Sequence, residues 1–240
     1  MKMTGETKLF LFILVGAAAL VGAVVLPTLR QQQLDMPKLP PPQPTTYPLS
    51  MLAPPGSHVL GPKNAPFTLV EFGDYQCPIC RTSTQEVKAI MQQHPTQLKL
   101  VFRNFPLPMH NRAKPAAYAA EAAGLQGKFW PMHDLLYENQ PNFSHKDFDK
   151  YAQELGLNVA QFNRDMKSAA VKKRVEQDIA AGQQFDVTST PSFWFVPPDV
   201  SQERRIYTPG DLLTWLADPN HWAVKSAPQP KKPLTKAVKP

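Results

Sequence analysis

The only two cysteines of the 240-residue chain stand in the segment EFGDYQCPIC, residues 71–80, as Cys77-Pro-Ile-Cys80. If a helix begins at Pro78, a residue type suited to a first turn, Cys77 lies at its N-terminus. The unpaired amides and the helix dipole at that end favour a thiolate, which is the attacking species in disulfide exchange. Cys80, one turn further along, is then placed to resolve a mixed disulfide by attacking Cys77. The spacing therefore indicates a working dithiol.

Three other uses of a Cys-X-X-Cys pair stand beside this interpretation. A four-cysteine zinc site needs a second pair, and the sequence has no further cysteine. Two thiolates can bind Cu(I) together with Met109 or His110, if the fold brings those side chains close. A purely structural disulfide across four residues removes little chain entropy and is poorly motivated. Thiol–disulfide exchange therefore remains the favoured function of the cysteine pair.

The elements around the cysteines form a strand, a helix and a second strand. Residues 67–72, FTLVEF, are rich in β-branched and aromatic types and lie between a proline and a glycine, as in a buried strand. Residues 82–93 carry apolar side chains at helical spacing and end at His94-Pro95. The following QLKLVFRNFPL alternates its apolar residues. This order predicts a parallel pairing of the two strands.

A helical block follows, because no strand candidate appears between His110 and Phe185. We predict about four helices there, one of them capped by Ser144. Beyond the block, STPSFWFVPP is typical of a strand, RRIYTPG of an edge strand, and residues 210–216 of a closing helix. We therefore expect an α/β fold interrupted by a helical insertion at about residues 108–186.

Residues 9–26 are eighteen uncharged, mostly large apolar residues between Lys8 and Arg30. As a helix they would span about 27 Å, close to the thickness of a bilayer core, so we expect a single transmembrane anchor. A signal peptide cleaved after Ala23 is the alternative. Either version places residues 1–8 in the cytoplasm and sends the rest of the chain across a membrane.

Two low-complexity segments flank the expected domain. Residues 27–57 are proline-rich and predict a semi-rigid linker, since proline fixes φ and removes a backbone donor. Residues 219–240 are rich in Lys and Pro and predict a disordered tail. The five lysines from Lys225 onward, with the excess of two cations in residues 1–40, account for the whole net charge of +7. The part between has no basic excess, which argues against a nucleic-acid partner.

The chain resembles the DsbA-like thiol–disulfide oxidoreductases of the thioredoxin superfamily, in particular the membrane-anchored group with DYxCPxC active sites. Four blocks carry the resemblance in order: VLGPKNAPFTLVEFGDYQCPIC, LVFRNFPL, AAYAAEAAGLQGKFWPMHDLLYENQ and TSTPSFWFV. The resemblance implies a thioredoxin-like domain over residues 58–218 with a helical insertion. It covers most of the chain between the two flanking segments.

The resemblance also implies roles for individual residues. Cys77 matches the nucleophilic cysteine of a redox-active disulfide, and Cys80 matches the resolving one. Glu71 matches the acidic residue that lies under the dithiol and relays a proton. Thr190 and Pro191 match the cis-proline loop, which faces the dithiol and presents backbone groups to an extended substrate peptide.

The chain departs from the family between the cysteines, where many oxidising members carry histidine and this chain has Pro78-Ile79. Isoleucine supplies no charge-assisted hydrogen bond to a thiolate, so its side chain gives no support for strong oxidising power. We assign no catalytic role to several aromatic and histidine residues of the insertion, interpreted as packing or surface residues: Phe129, Trp130, Tyr137, His110 and His133.

The expected function is the introduction of disulfide bonds into exported proteins of a bacterial envelope, through attack of a substrate thiolate at an exposed Cys77. We expect thiol-bearing exported proteins as substrates, a quinone-linked membrane reoxidase as partner, and no metal or organic cofactor. The catalytic domain would lie on the periplasmic side of the inner membrane. We expect a monomer, because the sequence shows no second module for dimerisation. A reductase or isomerase, and a tethered copper-binding metallochaperone, are the alternatives.

Overall fold

The computed structural model describes residues 47–140, 143–198 and 204–206, together with Thr214, Asp218 and Trp222. The predicted cytoplasmic segment, the predicted anchor at residues 9–26 and the linker up to residue 46 lie outside this part. Among the described residues no helix is both long and apolar enough to cross a bilayer.

A mixed sheet lies at the centre of the described fold. Its strands are β1 (His58–Leu60), β2 (Phe67–Gly73), β3 (Leu98–Asn104), β4 (Ser192–Val196) and β5 (Arg204–Ile206), in the order β1-β3-β2-β4-β5. Strands β2 and β3 are parallel, as the sequence predicts, and the other three pairings are antiparallel. Strand β5 is the predicted edge strand. Strand β1 was not predicted, because three residues carry too little pattern.

Seven helices accompany the sheet in the described residues. They are α1 (Leu49–Leu52), α2 (Pro78–Gln93), α3 (Ala113–Leu125), α4 (Phe129–Glu138), α5 (His145–Glu154), α6 (Val159–Lys167) and α7 (Ala169–Gln184). The block between β3 and β4 thus holds five helices rather than four. The extra boundary is Ser168, which adopts an extended conformation and accepts a hydrogen bond from the Val171 amide as the N-cap of α7.

Strand β2 is the central strand and all seven of its residues are buried. Helix α2 covers one face, where Val87 and Ile90 pack in one cluster with Phe67 and Leu69. Residues from α1 and from the end of α7 cover the opposite face. Because both faces of β2 are buried, its sequence is mostly apolar throughout and does not alternate with polar residues. The polar exceptions in β2 are Thr68 and Glu71. Glu71 is the charged type, and it shares the α2 side of the sheet with Phe67 and Leu69.

The opposite face shows that the folded part begins before His58. Residues 27–57 were predicted as linker, whereas Leu49–Leu52 form helix α1 and Leu52 is fully buried. Leu52 packs in a cluster with Phe72, Phe185 and Trp194. The linker prediction is therefore wrong for residues 49–52. Burial of the apolar Leu52 side chain outweighs the preference of the proline-rich segment for an extended conformation.

A buried polar network joins the sheet to the insertion. The Arg103 guanidinium on β3 donates to the Asp178 carboxylate on α7 and to the carbonyl oxygens of Met51 and Leu52. Asp178 also accepts from the Asn104 amide at 3.0 Å. These hydrogen bonds hold the C-terminal end of α1 against the sheet.

The C-terminal boundary also differs from the prediction. Residues 219–240 were expected to be a disordered tail, yet the Trp222 ring lies stacked on His94 at 3.6 Å and edge-on to Phe67 at 5.2 Å. Trp222 thereby covers apolar surface on the α2 side of the sheet. Of the predicted closing helix at residues 210–216, only Thr214 is described, and it is helical.

Candidate active site

Cys77 is the N-cap residue of α2, with Pro78 as the first helical residue. This is the placement that the spacing predicts. Both cysteines are free thiols. Cys77 has 5% of its surface exposed and Cys80 has none, so Cys77 is the accessible thiol of the pair but is far less exposed than expected.

The surroundings of Cys77 lower its pKa from 9.0 to about 5. The largest cause is the Cys80 thiol, which donates to Cys77 Sγ; burial opposes the shift, and the Cys80 amide, the Thr190 side chain and the Ile79 amide add further donors. Hydrogen bonds to a thiolate favour the charged form. The thiolate is therefore stabilised without a charged residue between the cysteines, and Ile79 contributes through its backbone.

The pKa of Cys80 is shifted the opposite way, well above its ordinary value, first by burial and then by its bond to Cys77. A buried thiol in apolar surroundings is a poor nucleophile until a base removes its proton. The two sulfurs therefore have separate tasks. Cys77 is the thiolate at neutral pH, and Cys80 is its proton-bearing partner.

Glu71 lies on the face of β2 covered by α2, opposite Phe102 on β3 and Phe193 on β4. It is 1% exposed, and its Oε1 has no hydrogen-bond partner among the described residues. Burial, followed by the charge of Cys77, raises its pKa to about 8. A carboxyl group with that pKa is protonated at neutral pH and can exchange a proton with a nearby thiol.

The Thr190–Pro191 peptide bond is cis, as the resemblance implies. In the thiol state Cys77 Sγ donates to the Thr190 carbonyl oxygen at 3.3 Å. That bond favours the thiol. The Thr190 hydroxyl has no hydrogen-bond partner among the described residues in this thiol state, and its proximity favours the thiolate, to which it can donate. Because the pKa of Cys77 is lowered overall, the donors to the thiolate prevail. The structure thus brings together Cys77, Cys80 and Thr190, although Thr190 is more than 100 residues away in sequence.

Asp74 holds the loop before Cys77 and was not singled out from the sequence. Its buried carboxylate accepts from the amides of Gln76 and Leu107, each at 2.7 Å, and from His110 Nδ1 at 2.8 Å. His110 therefore bonds Asp74 rather than a thiol. In the described part of the chain no three His, Cys, Asp or Glu side chains cluster to hold a metal ion.

Gln140, just after α4, is a second support that sequence reasoning missed. Its side-chain amide nitrogen donates to the backbone carbonyl oxygens of Tyr75 and Cys77. The backbone carbonyl oxygen of Gln140 accepts from the Arg81 guanidinium at 3.4 Å. These bonds connect the helical insertion directly to the dithiol loop. No local pattern marks a glutamine for this role, because the contact depends on the tertiary fold.

Tyr137 on α4 lies over the strand that carries Glu71. A Cβ atom added at Gly73 would lie 2.9 Å from the Tyr137 hydroxyl and 2.5 Å from the Phe102 ring. Only glycine leaves room for that hydroxyl. Residues 71 and 73 point to the same face of β2. The Tyr137 hydroxyl is therefore on the side of the sheet where Glu71 is buried.

Comparison with protein families finds one matching family model, described as thioredoxin, over residues 53–196. Among solved structures, a thioredoxin-like oxidoreductase from Silicibacter pomeroyi DSS-3 is 30% identical with a TM-score of 0.62, covering 74% of this chain and 100% of that one. DsbA2 of Pseudomonas aeruginosa is 22% identical with a TM-score of 0.58, covering 70% of this chain and 96% of its own. At 22% identity, the similarity to DsbA2 concerns the fold alone.

The curated relatives that match are longer proteins. The Na(+)/H(+) antiporter NhaA 1 of Mycolicibacterium vanbaalenii is 37% identical over 160 residues, which cover 65% of this chain and 26% of the antiporter. The chain thus spans about a quarter of the length of such relatives.

Proposed function

The chain belongs to the thioredoxin family, and we propose that it is a DsbA-like thiol–disulfide oxidoreductase that introduces disulfide bonds into exported proteins of a bacterial envelope. The observation that carries this direction is the pKa of Cys77, lowered to about 5. A stabilised Cys77 thiolate stabilises the reduced protein relative to the disulfide. A disulfide whose reduced form is stabilised is a strong oxidant.

The proposed cycle begins with the Cys77–Cys80 disulfide. A substrate thiolate attacks Cys77 Sγ, a substrate–Cys77 disulfide forms, and Cys80 leaves with the electron pair and takes up a proton. A second substrate thiolate attacks the substrate sulfur of that mixed disulfide, and Cys77 leaves as a stable thiolate. The substrate gains a disulfide and loses two electrons, which the dithiol now holds.

Substrate would dock on the exposed apolar side chains beside the dithiol. Ile79 is 56% exposed within the motif itself. Met109 is 80% exposed and precedes His110, which is bonded to the Asp74 side chain of the same loop. Apolar contacts of this kind suit unfolded polypeptides, while the Thr190–Pro191 backbone offers hydrogen bonds to an extended segment.

Attachment to the inner membrane, with the catalytic domain on the periplasmic side, completes the proposal. The apolar residues 9–26, long enough to span a bilayer as a helix, support it. A quinone-linked membrane protein would reoxidise the dithiol. The redox step itself needs no metal or organic cofactor in this chain.

Trapping of mixed disulfides tests the proposal. The full-length Cys80→Ala variant, expressed in a bacterial envelope, should accumulate covalent complexes with exported proteins. Its Cys77 thiolate attacks their disulfides, which is the reverse of the last step of the cycle, and no Cys80 is present to displace the bound protein from Cys77. The Cys77→Ala variant is the matched control and should trap none. Absence of complexes in the Cys80→Ala variant, or equal amounts in both, would contradict the mechanism; tight stoichiometric Cu(I) binding without oxidative refolding would favour the metallochaperone.

A further inference from the structure

Four buried polar atoms near the dithiol have no hydrogen-bond partner among the described residues: Glu71 Oε1, Tyr75 Oη, Tyr137 Oη and His133 Nε2. Each belongs to a residue that is almost fully buried. Buried polar atoms are normally satisfied by protein or by ordered water. A group of such atoms in one region is therefore the usual setting for internal water molecules.

The three rings of this group contact one another. The centroids of Tyr75 and Tyr137 are 5.0 Å apart, those of His133 and Tyr137 are 4.9 Å apart, and those of Tyr75 and His133 are 5.7 Å apart. The Tyr137 hydroxyl lies over Gly73, on the face of β2 that carries Glu71. Adjacent same-face positions on a strand are about 7 Å apart, so one or two bridging water molecules would connect the Tyr137 hydroxyl to the Glu71 carboxyl group.

The far end of the group reaches the surface at Asp134. His133 Nδ1 lies 3.1 Å from Asp134 Oδ1, and Asp134 pairs with Lys88 at 2.9 Å. Burial lowers the pKa of His133, against the opposing effect of Asp134, so the imidazole is neutral. With Nδ1–H donating to Asp134, Nε2 is left as an acceptor inside the group. The Asp134 side chain is about one-third exposed and is in reach of solvent protons.

Resting on the proposed function, we propose that Tyr137 and His133 form a proton path between the buried Glu71 and the surface residue Asp134. When Cys80 leaves the disulfide, it takes a proton from the Glu71 carboxyl group. Glu71 is sealed from solvent and must be reprotonated through the interior. In the oxidised protein His133 carries its proton on Nε2. On reduction Asp134, which takes a proton from solvent, protonates Nδ1 while Nε2–H passes a proton through Tyr137 and bridging waters to Glu71, and this leaves the Nδ1–H tautomer of the reduced protein. Reoxidation, in which Cys80 loses its proton, reverses each transfer.

Other charged groups face the same region. Cys77 and Cys80 lie next to Glu71, Lys88 approaches from α2, and His58 approaches from β1. Their charges affect equilibrium protonation. The path affects the rate at which a proton reaches Glu71, so rate and equilibrium measurements separate the two.

The test is the single-turnover reduction of the Cys77–Cys80 disulfide by dithiothreitol, followed in the full-length protein at pH 7 in H₂O and in D₂O. The Tyr137→Phe variant removes one hydroxyl and keeps the ring. It should react about tenfold more slowly or worse, as expected for the loss of a proton-transfer group, and show a larger solvent isotope effect. The His133→Gln variant should be slowed similarly. Tyr151→Phe, a change at a buried tyrosine of α5, should leave the rate unchanged.

Coupling to Glu71 decides between a proton path and a packing role. In a Glu71→Gln background the path has no carboxyl group to serve, so Tyr137→Phe should cause no further slowing. Equal slowing in both backgrounds, or a wild-type rate in Tyr137→Phe, would overturn the proposal. Because dithiothreitol replaces the protein substrate, the path can fail while disulfide exchange remains intact; a wild-type protein inert to dithiothreitol would instead contradict the proposed function.

Discussion

Cys77 Sγ lies 3.3 Å from the Thr190 carbonyl oxygen, and this contact joins the first turn of α2 to the loop that begins β4. Glu71 lies on β2, the strand that leads into α2 and that pairs directly with β4. One strand pairing therefore fixes the positions of Cys77, of the loop at Thr190 and of the buried Glu71 carboxyl group. The redox properties of the dithiol follow from that arrangement.

The lowered pKa of Cys77 predicts thiolate reactivity in mild acid. The alkylation rate of the reduced protein by iodoacetamide should be half-maximal near pH 5, because the pKa of Cys77 is about 5, and should fall at lower pH. In Cys80→Ala the main donor is absent, so the midpoint should move to higher pH. A midpoint near that of a free thiol, about 8.5, in the unmodified protein would contradict the predicted thiolate stabilisation.

Thr190→Val tests the second side chain that stabilises the thiolate. Valine keeps the shape and removes the hydroxyl donor, whose contribution to a charged acceptor is about 1.5–3 kcal/mol. The pKa of Cys77 should rise by about one to two units, and the disulfide should become less oxidising. The Thr82→Val variant removes an exposed hydroxyl from α2 and serves as control in the same alkylation titration; equal midpoints for both variants would exclude the role of Thr190.

Glu71→Gln should change the pH dependence of stability in a defined direction. The folded pKa of Glu71 is about 8, against 4.5 for the ordinary group. Between these values the folded protein holds a proton that the unfolded chain has lost, so the free energy of unfolding falls as pH rises. The Glu71→Gln variant has no such titrating group. Its free energy of unfolding, compared with that of wild type, should therefore increase by about 4 kcal/mol between pH 4.5 and pH 8.

Urea unfolding of the reduced proteins at both pH values measures this difference. Glu154→Gln, at an exposed position of α5, should show no such gain. A pH-independent difference between Glu71→Gln and wild type would mean that Glu71 is ionised in the folded state.

Much of this site is visible in the sequence because its chemistry is local. The Cys77-to-Cys80 spacing and Pro78 predict the nucleophile at a helix N-terminus, and the apolar run around Glu71 predicts a buried strand. The position of Thr190 came from family resemblance, since nothing local distinguishes Pro191 from a proline at a strand start. The supports at Asp74 and Gln140 were missed because they act through contacts that only the tertiary fold creates.

The boundaries of the fold were harder to predict for a related reason. The proline-rich composition before residue 57 concealed α1, whose Leu52 is buried by the distant Phe185 and Trp194. Likewise the basic composition after residue 219 concealed the packing of Trp222 on His94. Local composition describes intrinsic preference, and burial against remote residues overrides it.

Asp178→Asn tests the buried network between sheet and insertion. The change leaves the Arg103 guanidinium without its anionic partner, and breaking a buried pair costs about 3–5 kcal/mol. Glu176→Gln on the same helix breaks only an exposed pair with Lys114, which is worth at most about 1 kcal/mol. Urea unfolding at pH 7 compares the two. Similar small losses in both variants would show that the network contributes little to stability.

The reduction potential of the Cys77–Cys80 couple tests the central claim most directly. Equilibration of the purified protein with glutathione redox buffers, with the reduced fraction measured by thiol labelling, gives its value. A thiolate pKa of about 5 predicts an oxidising couple, well above the roughly −270 mV of cytosolic thioredoxin. A potential near or below that value would contradict the account and assign the protein to disulfide reduction.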